Sequence, residues 1–378
     1  MPPTATETVS VLEQQTTTLT LKAPREENKT DELQGVAYPL YYPHFDINEK
    51  CPATEPFEYV DPGSRADKAK PNLLKNATLR HLNPYLGTVV KGVQISQLSK
   101  EGLDELALYT AERKVLVFRD QDFKDIGLER QLEIARHFGP IQQHPTSGNV
   151  KGYPEFHVVY RDSKQHFWKE YFGSNRNSNI SWHTDITYER QPPSTTFFWV
   201  LLALFPESII IGQDQPEAGT GGDTLFASQV EAYNRLSPAF KKLLEGLRAV
   251  HSSYEQAEHA KARGGPLRRE PIETEHPVVR VHPVTGEKAL FVNQGFTTRI
   301  VGFKEEESKL LLDFLYDHLM KGADFHARAT YKPGTVVVWD NRITTHSATN
   351  DVKFVNNTSR HAARLTPQAE VPIPATEP

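Results

Sequence analysis

Hydrophobic positions along this chain change their period several times, and each change marks an element. Residues 1–35 have no period and are rich in Thr, Glu, Pro and Lys. Such a stretch buries too little to offset the entropy of ordering and reads as a disordered tail. Tyr38, Tyr41, Tyr42, Phe45, Phe57 and Tyr59 follow, scattered among prolines and charges. Aromatics without a period predict an extended arm over residues 36–79 laid against the body, since a free linker would leave them all in water. Regular patterns begin near Arg80. Leu103, Leu106, Ala107 and Thr110 lie at i, i+3, i+4 and i+7, one face of a helix. The run Val115-Leu116-Val117-Phe118 predicts a strand buried on both faces. Leu128, Leu132, Ala135 and Phe138 predict a second helix, ended by Gly139 in a left-handed conformation, and residues 156–160 another strand.

Ten residues from Thr196 to Phe205, apolar after the first, come next, then Pro206 and a second burst, Ile209-Ile210-Ile211. Ten residues are too few to span a bilayer, so the stretch predicts a long core strand with an unusual loop. Ser228 and Glu231 have capping-box spacing, and Ser237-Pro238 opens a helix expected to bury Phe240, Leu243, Leu244 and Leu247. The charged residues 255–273, with Gly264-Gly265 inside them, predict a solvated insertion or lid. Residues 278–281 and 289–292 predict a hairpin around 283–287, and a helix from Lys304 places Leu311, Leu312, Leu315 and Leu319 on or near its buried face. Residues 335–339 read as the last core strand, and the Pro-rich chain after Leu365 as loose. There is no internal repeat. Strands with a few peripheral helices favour a mostly β domain, a double-stranded β-helix or jelly roll, over residues 80–370, with 371–378 as a loose C-terminal tail.

Composition narrows the function without naming it. A net charge of -5 from 43 basic and 48 acidic residues points to no polyanion and no membrane surface, so neither nucleic acid nor membrane is an expected partner. A single cysteine, Cys51, excludes an internal disulfide framework. With no basic and apolar leader pattern at the start, the expected location is cytoplasmic.

The candidate chemistry lies in Trp182-His183-Thr184-Asp185. If this stretch is a strand, His183 and Asp185 point to one side and Thr184 to the other, so an imidazole and a carboxylate can close on one metal ion. A His-x-Asp is common by itself and is more often two surface residues. His346, just beyond the strand pattern 335–339, offers a third arm. Two histidines and one carboxylate form the facial triad of non-haem Fe(II) sites, although the same set also accepts Mn, Co or Ni. Arg360 and Arg364, spaced evenly on Arg360-His361-Ala362-Ala363-Arg364, would share one face of a strand, and a planar guanidinium pairs bidentately with a carboxylate or sulfonate.

A family resemblance rests on these stretches and others in order. They are Leu82-Asn83-Pro84-Tyr85-Leu86-Gly87, Val117-Phe118-Arg119-Asp120-Gln121, Phe138-Gly139-Pro140, Trp182-His183-Thr184-Asp185, Gly221-Gly222-Asp223-Thr224-Leu225-Phe226, His276-Pro277 through His282-Pro283, Phe291 through Ile300, and Trp339-Asp340-Asn341-Arg342. The chain resembles the taurine dioxygenase family of Fe(II)- and 2-oxoglutarate-dependent oxygenases, in particular its fungal sulfonate dioxygenase branch, from about Leu82 to Glu370. The resemblance implies His183, Asp185 and His346 as ligands of Fe(II), with 2-oxoglutarate and O2 as co-substrates. It implies Arg360 and the Thr224 hydroxyl on the distal carboxylate of 2-oxoglutarate. It places His144, Asn179, Phe296 and Arg364 around a small anionic substrate, a sulfonate such as taurine. The implied reaction hydroxylates the carbon beside the sulfonate and releases sulfite and an aldehyde, with succinate and CO2. Alkyl sulfate esters or another small anion are the alternative within the class, and a catalytically silent jelly-roll binding protein is the alternative outside it. His137, His276, His282 and His361 read as structural, and Trp182 and Trp339 as packing walls.

Two features depart from the family pattern. Residues 200–215 add an apolar stretch where a short turn is expected, either a genuine insertion near the pocket or retained noncoding sequence. A transcript lacking that segment would decide against the insertion. The gap from His346 to Arg360 is also long. A homo-oligomer remains compatible with the chain.

Overall fold

The uninterrupted apolar runs become the inner strands of a sandwich. The computed structural model describes residues 38–52, 54–161, 181–202, 222–349 and 360–376. Asn179, most of the 200–215 stretch, the 351–355 part of the long gap and the tail 1–35 lie outside the described residues.

In chain order the described strands are β1 (Thr78–His81), β2 (Thr88–Lys91), β3 (Val115–Phe118), β4 (His157–Arg161), β5 (Thr195–Leu202), β6 (Thr224–Ser228), β7 (Arg248–Ser252) and β8 (Glu273–Pro277). They continue as β9 (Val279–Val281), β10 (Lys288–Leu290), β11 (Thr297–Ile300), β12 (His326–Ala329), β13 (Val336–Asp340), β14 (Thr344–Ala348), β15 (Arg360–Leu365) and β16 (Ile373–Pro374). The helices are α1 (Pro71–Leu74), α2 (Lys100–Arg113), α3 (Leu128–Arg136), α4 (Gln229–Asn234), α5 (Pro238–Glu245), α6 (Tyr254–Ala262) and α7 (Glu305–Lys321).

The large sheet runs β1-β2-β3-β13-β5-β15-β4, and a smaller one runs β12-β6-β14. Alternation along the inner strands separates two layers. Leu116, Phe118, Phe197, Trp199, Val336, Val338 and Ala363 face α2 and α3, packing on Leu103, Leu106, Leu132, Ala135 and Phe138. Their neighbours Val115, Val117, Phe198, Val200, Val337, Trp339 and Ala362 meet Phe226, Ala327 and Ala329 of the smaller sheet and Tyr331 just after β12. Period-2 alternation between two apolar environments is what makes these strands read as continuous hydrophobic runs. This is the jelly-roll core. A further layer packs β7, β9, β10 and β11 against the Leu311, Leu312, Leu315 and Leu319 face of α7.

Local signals hold where they are local. Ser228 accepts from the Glu231 amide, Ser237 from the Phe240 amide, and Glu307 closes a capping box on Lys304. In α5 only Leu244 is fully buried, and Leu243 is 49 % exposed rather than buried. Gly139 follows α3 at φ +136, outside the left-handed helical region, and the reason is contact: a Cβ there would lie 2.1 Å from the Gln368 carbonyl oxygen. That same strip corrects the loose end after Leu365. Thr366, Gln368 and Ala369 are buried, β16 pairs with β9, and Glu370 is ion-paired with Arg280 and Arg342. Residues 255–273, expected as a solvated insertion or lid, are mostly exposed or half-buried; 255–262 belong to α6, and Arg268 (2 % exposed) anchors the segment inward to Glu49 and to the carbonyls of His144 and Ser147. On the arm, Tyr41 packs edge-on to Phe156 and Trp199, and its carbonyl accepts from His361.

Candidate metal centre

His346 lies beyond β13, in the middle of the next strand, β14. On one side β14 pairs with β6, and on the other it forms an isolated bridge with His183. The His183 amide donates to the His346 carbonyl at 2.9 Å and the His346 amide to the His183 carbonyl at 2.8 Å. Two residues that exchange both bonds sit directly opposite with side chains on one face, and the ring centroids are 4.3 Å apart. The extended stretch is only this bridge. Thr184 does point away, its hydroxyl donating to the Thr344 carbonyl, but the chain turns at Asp185–Tyr188 with Ile186 at φ +40, a strained value for a β-branched residue. The His-x-Asp therefore works through a bridge and a turn instead of a regular strand.

The result is a compact donor set. Asp185 Oδ1 is 3.8 Å from His183 Nε2 and 3.7 Å from His346 Nε2, and one ligand atom from each residue lies within 4.8 Å of the others. His183 Nδ1 donates to the Ser181 carbonyl at 3.0 Å, which leaves the Nε2 lone pair facing the cluster. Asp185 Oδ2 is buried and has no hydrogen-bond partner among the described residues. Burial would raise the Asp185 pKa, but Arg364 first, then His346 and His183, outweigh it and hold the carboxyl below its usual range. Burial, with His183 beside it, pushes His346 down to about 3. At neutral pH Asp185 is thus a carboxylate and His346 a neutral imidazole, the protonation states a divalent metal needs. An orphaned buried carboxylate oxygen and converging nitrogens fit Fe(II).

The arginines of β15 both enter the space between the sheets, at separate places. Arg364 Nη1 donates to Asp185 Oδ1 at 2.6 Å and Nη2 to His157 Nδ1 at 2.7 Å. Arg360 lies over the rings of Phe198 and Tyr331, 5.9 and 5.7 Å from their centroids, and the Tyr331 hydroxyl is 2.7 Å from Thr224 Oγ1. Thr224 and Arg360 are thereby joined through Tyr331. The His144 ring lies tilted against that of His157, centroids 4.5 Å apart, and burial together with Arg364 pushes its pKa to about 3. Phe296 is set edge-on against Tyr188, 5.1 Å away, in the turn that follows Asp185. Asn179 lies outside the described residues. The sequence reading missed His157 and Tyr331, each a polar residue inside or beside a strand pattern, and Arg268, which pins the loop carrying His144.

Gly295 lets the chain pass the metal cluster. A Cβ there would sit 2.9 Å from His183 Cβ. Gly295→Ala is expected to displace the imidazole and weaken Fe(II) or Mn(II) affinity by about 10- to 100-fold, the range for losing a ligand's support, with little change in melting temperature. Metal titration of the two proteins checks it.

The histidines read as structural are so bonded: His282 to Asp340, His276 to the Glu189 carbonyl, and His137 to Asp104. The Trp339 ring packs 5.1 Å from that of His346.

Comparison with known proteins agrees with this architecture. A family model described as "Taurine catabolism dioxygenase TauD, TfdA family" matches residues 78–366. An alpha-ketoglutarate-dependent dioxygenase of Penicillium expansum, cnsM, is 48 % identical over 357 residues, 92 % of this chain and 94 % of that protein. An alpha-ketoglutarate-dependent sulfonate dioxygenase of Saccharomyces cerevisiae is 42 % identical, covering 89 % of this chain and 79 % of its own length. The crystal structure of a taurine dioxygenase from Burkholderia xenovorans superposes with a TM-score of 0.58 at 27 % identity, over 79 % of this chain and 93 % of that one. The chain belongs to the taurine catabolism dioxygenase TauD, TfdA family. It is an alpha-ketoglutarate-dependent dioxygenase, an enzyme of Fe(II), 2-oxoglutarate and O2, and not a silent binding protein. No helix among the described residues is long and apolar enough to cross a membrane.

Proposed function

We propose that this enzyme oxidises a small sulfonate at the carbon beside sulfur, giving sulfite and an aldehyde, with succinate and CO2 from 2-oxoglutarate. The observation that carries the reading is Arg364. It is a buried guanidinium tied to the metal-cluster carboxylate, and its Nε has no partner among the described residues. An orphaned cationic donor beside a metal cluster is a place for an anion. His183, Asp185 and His346 hold Fe(II), which supplies O2 activation coupled to decarboxylation of 2-oxoglutarate. Arg360 and the Thr224 hydroxyl take the distal carboxylate, with Tyr331 holding the threonine in place. Arg364, His144 and Asn179 hold the anionic head, and Phe296 walls the carbon chain. Fixing the head at Arg364 fixes the adjacent carbon, and an ångström of misplacement costs about 100-fold in rate. The reaction belongs to residues 80–370, with the arm 36–79 alongside and the tail 1–35 uninvolved, in a cytoplasmic enzyme that is compatible with self-association.

The test is product release with 2-oxoglutarate over taurine, isethionate, longer sulfonates and alkyl sulfates. Sulfite from a sulfonate supports the reading. Sulfate from an alkyl sulfate, with no sulfite from any sulfonate, would move the enzyme to sulfate esters. The division of roles has its own check. Arg360→Ala is expected to raise the KM for 2-oxoglutarate, and Arg364→Ala that for the sulfonate, each by about 10- to 100-fold, the loss of one charge-assisted hydrogen-bonded contact. Equal loss of 2-oxoglutarate affinity in both variants would refute the division.

A further inference from the structure

We propose that His157 is a specificity-determining positioning residue: it accepts from Arg364 and so leaves Arg364, His144 and His157 with only N–H donors to offer a head group, favouring an oxyanion that carries no proton. The inference rests on the anion site proposed above and concerns a residue that the family resemblance does not assign.

His157 stands on β4 directly opposite Arg364 on β15. Cross-strand partners on one face touch, and here they bond, Arg364 Nη2 to His157 Nδ1 at 2.7 Å. A guanidinium has no acceptor, so it must be the donor and Nδ1 must offer its lone pair. The His157 proton is therefore on Nε2. His144, its ring tilted against that of His157 with centroids 4.5 Å apart, is fixed in the same sense, because its Nδ1 accepts from the Thr146 amide at 3.3 Å. Both acceptor nitrogens are thus consumed, one by a side chain and one by backbone. What remains on Arg364, His144 and His157 is N–H. A fully ionised sulfonate or sulfate head has only acceptors and can meet every one of them. A phosphonate that keeps an O–H must turn a donor toward donors, which leaves both unpaired.

His157 also fixes Arg364 itself. With Nη1 on Asp185 and Nη2 on His157, the guanidinium plane is held at two points before substrate arrives. Preorganisation of this kind spares the ordering entropy of a long side chain at the moment of binding. Without His157 the arginine keeps Asp185 alone and can swing about that bond.

The probes are ethanesulfonate and ethylphosphonate, titrated calorimetrically at neutral pH into anaerobic enzyme loaded with metal and 2-oxoglutarate. Wild type is expected to favour the sulfonate. His157→Leu is expected to weaken sulfonate binding by about tenfold or more and to narrow the sulfonate-to-phosphonate ratio, with 2-oxoglutarate affinity within about twofold. His157→Asn places an amide oxygen where Nδ1 stands and is expected to recover most of the loss, which no purely structural role explains. If the leucine variant does not fold, His157→Gln, whose amide lies too far out to meet Arg364, replaces it. Equal losses in the leucine (or glutamine) and asparagine variants, no loss in either, or a parallel loss of 2-oxoglutarate affinity would overturn the proposal. A wild type that binds neither sulfonate nor sulfate ester overturns the proposed function instead. The His157 proposal is then decided by nitrogen NMR of the substrate-free protein, where a proton on Nε2 supports it and a proton on Nδ1 refutes it.

Discussion

His183→Ala is expected to abolish metal retention and 2-oxoglutarate turnover while leaving the fold intact. The loss should exceed the about 100-fold that removal of a supporting hydrogen bond costs, because a direct ligand is removed. Stability should hardly change. The His183 side chain is 31 % exposed, and what ties this point of the chain to β14 is a pair of backbone bonds that alanine retains. Asp185→Ala should match it in activity and differ from it in stability. Asp185 is buried and is the carboxylate that balances Arg364, so its removal leaves a buried guanidinium without its counter-charge, a loss of about 3–5 kcal/mol. Metal content and urea midpoints of the two variants give the comparison. Added Fe(II) should raise the midpoint of wild type, since a ligand that binds only the native state stabilises it, and should leave His183→Ala unmoved. An alanine variant that keeps its metal and its turnover would remove His183 from the site.

The parts of this molecule that were legible in the sequence are those whose cause lies within one element. Val115–Phe118 and residues 335–339 read as buried strands because their runs are apolar on both faces, and the strands that form, Val115–Phe118 and Val336–Asp340, are buried on both faces. Ser228 and Ser237 announced their helices because a cap acts over three residues. The clamp of His183 and Asp185 was also legible, although the turn at Ile186 rather than a strand delivers the carboxylate. What was not legible depends on pairing across the chain. Arg364 meets Asp185 across 179 positions and His157 across 207, and no local period encodes either meeting. Arg268 looked like one more charge in a charged segment until Glu49 and two loop carbonyls claimed it. The C-terminal strip looked loose by composition, yet Gln368 lies against Gly139 and Glu370 closes an ion network, so proline content reported the backbone's stiffness and not its contacts.

That network sets the second large effect, a loss of stability on mild acidification. Arg342 donates to both oxygens of Asp340, at 2.9 and 2.6 Å, and reaches Asp61 of the arm and Glu370 of the C-terminal strip. His282 Nδ1 accepts from the amides of Val284 and Thr285, so its proton is on Nε2, which donates to Asp340 at 3.0 Å. Burial, then Arg342, pushes the His282 pKa down, and burial does the same to His251 and His276, the latter to about 4. These folded-state values lie below the unfolded histidine value of about 6.5. Below that pH the unfolded chain takes up protons that the native one refuses, so stability is full above it and falls as pH drops. Each histidine contributes up to about 1.4 kcal/mol per pH unit. Asp340 adds a later window. Burial alone would raise it, but Arg342 and then His282 hold it well below its usual value. Its contribution is therefore complete above the unfolded value of about 3.9 and is lost as pH falls through the folded one. Urea unfolding between pH 7 and 5 should show the histidine slope before any carboxylate titrates. His282→Gln keeps an amide to donate to Asp340 but cannot titrate, and should flatten that slope, by at most about 1.4 kcal/mol per pH unit. An identical slope in the two proteins would mean that the His282 side chain takes up its proton as readily when folded as when unfolded, against the placement of Arg342 beside it.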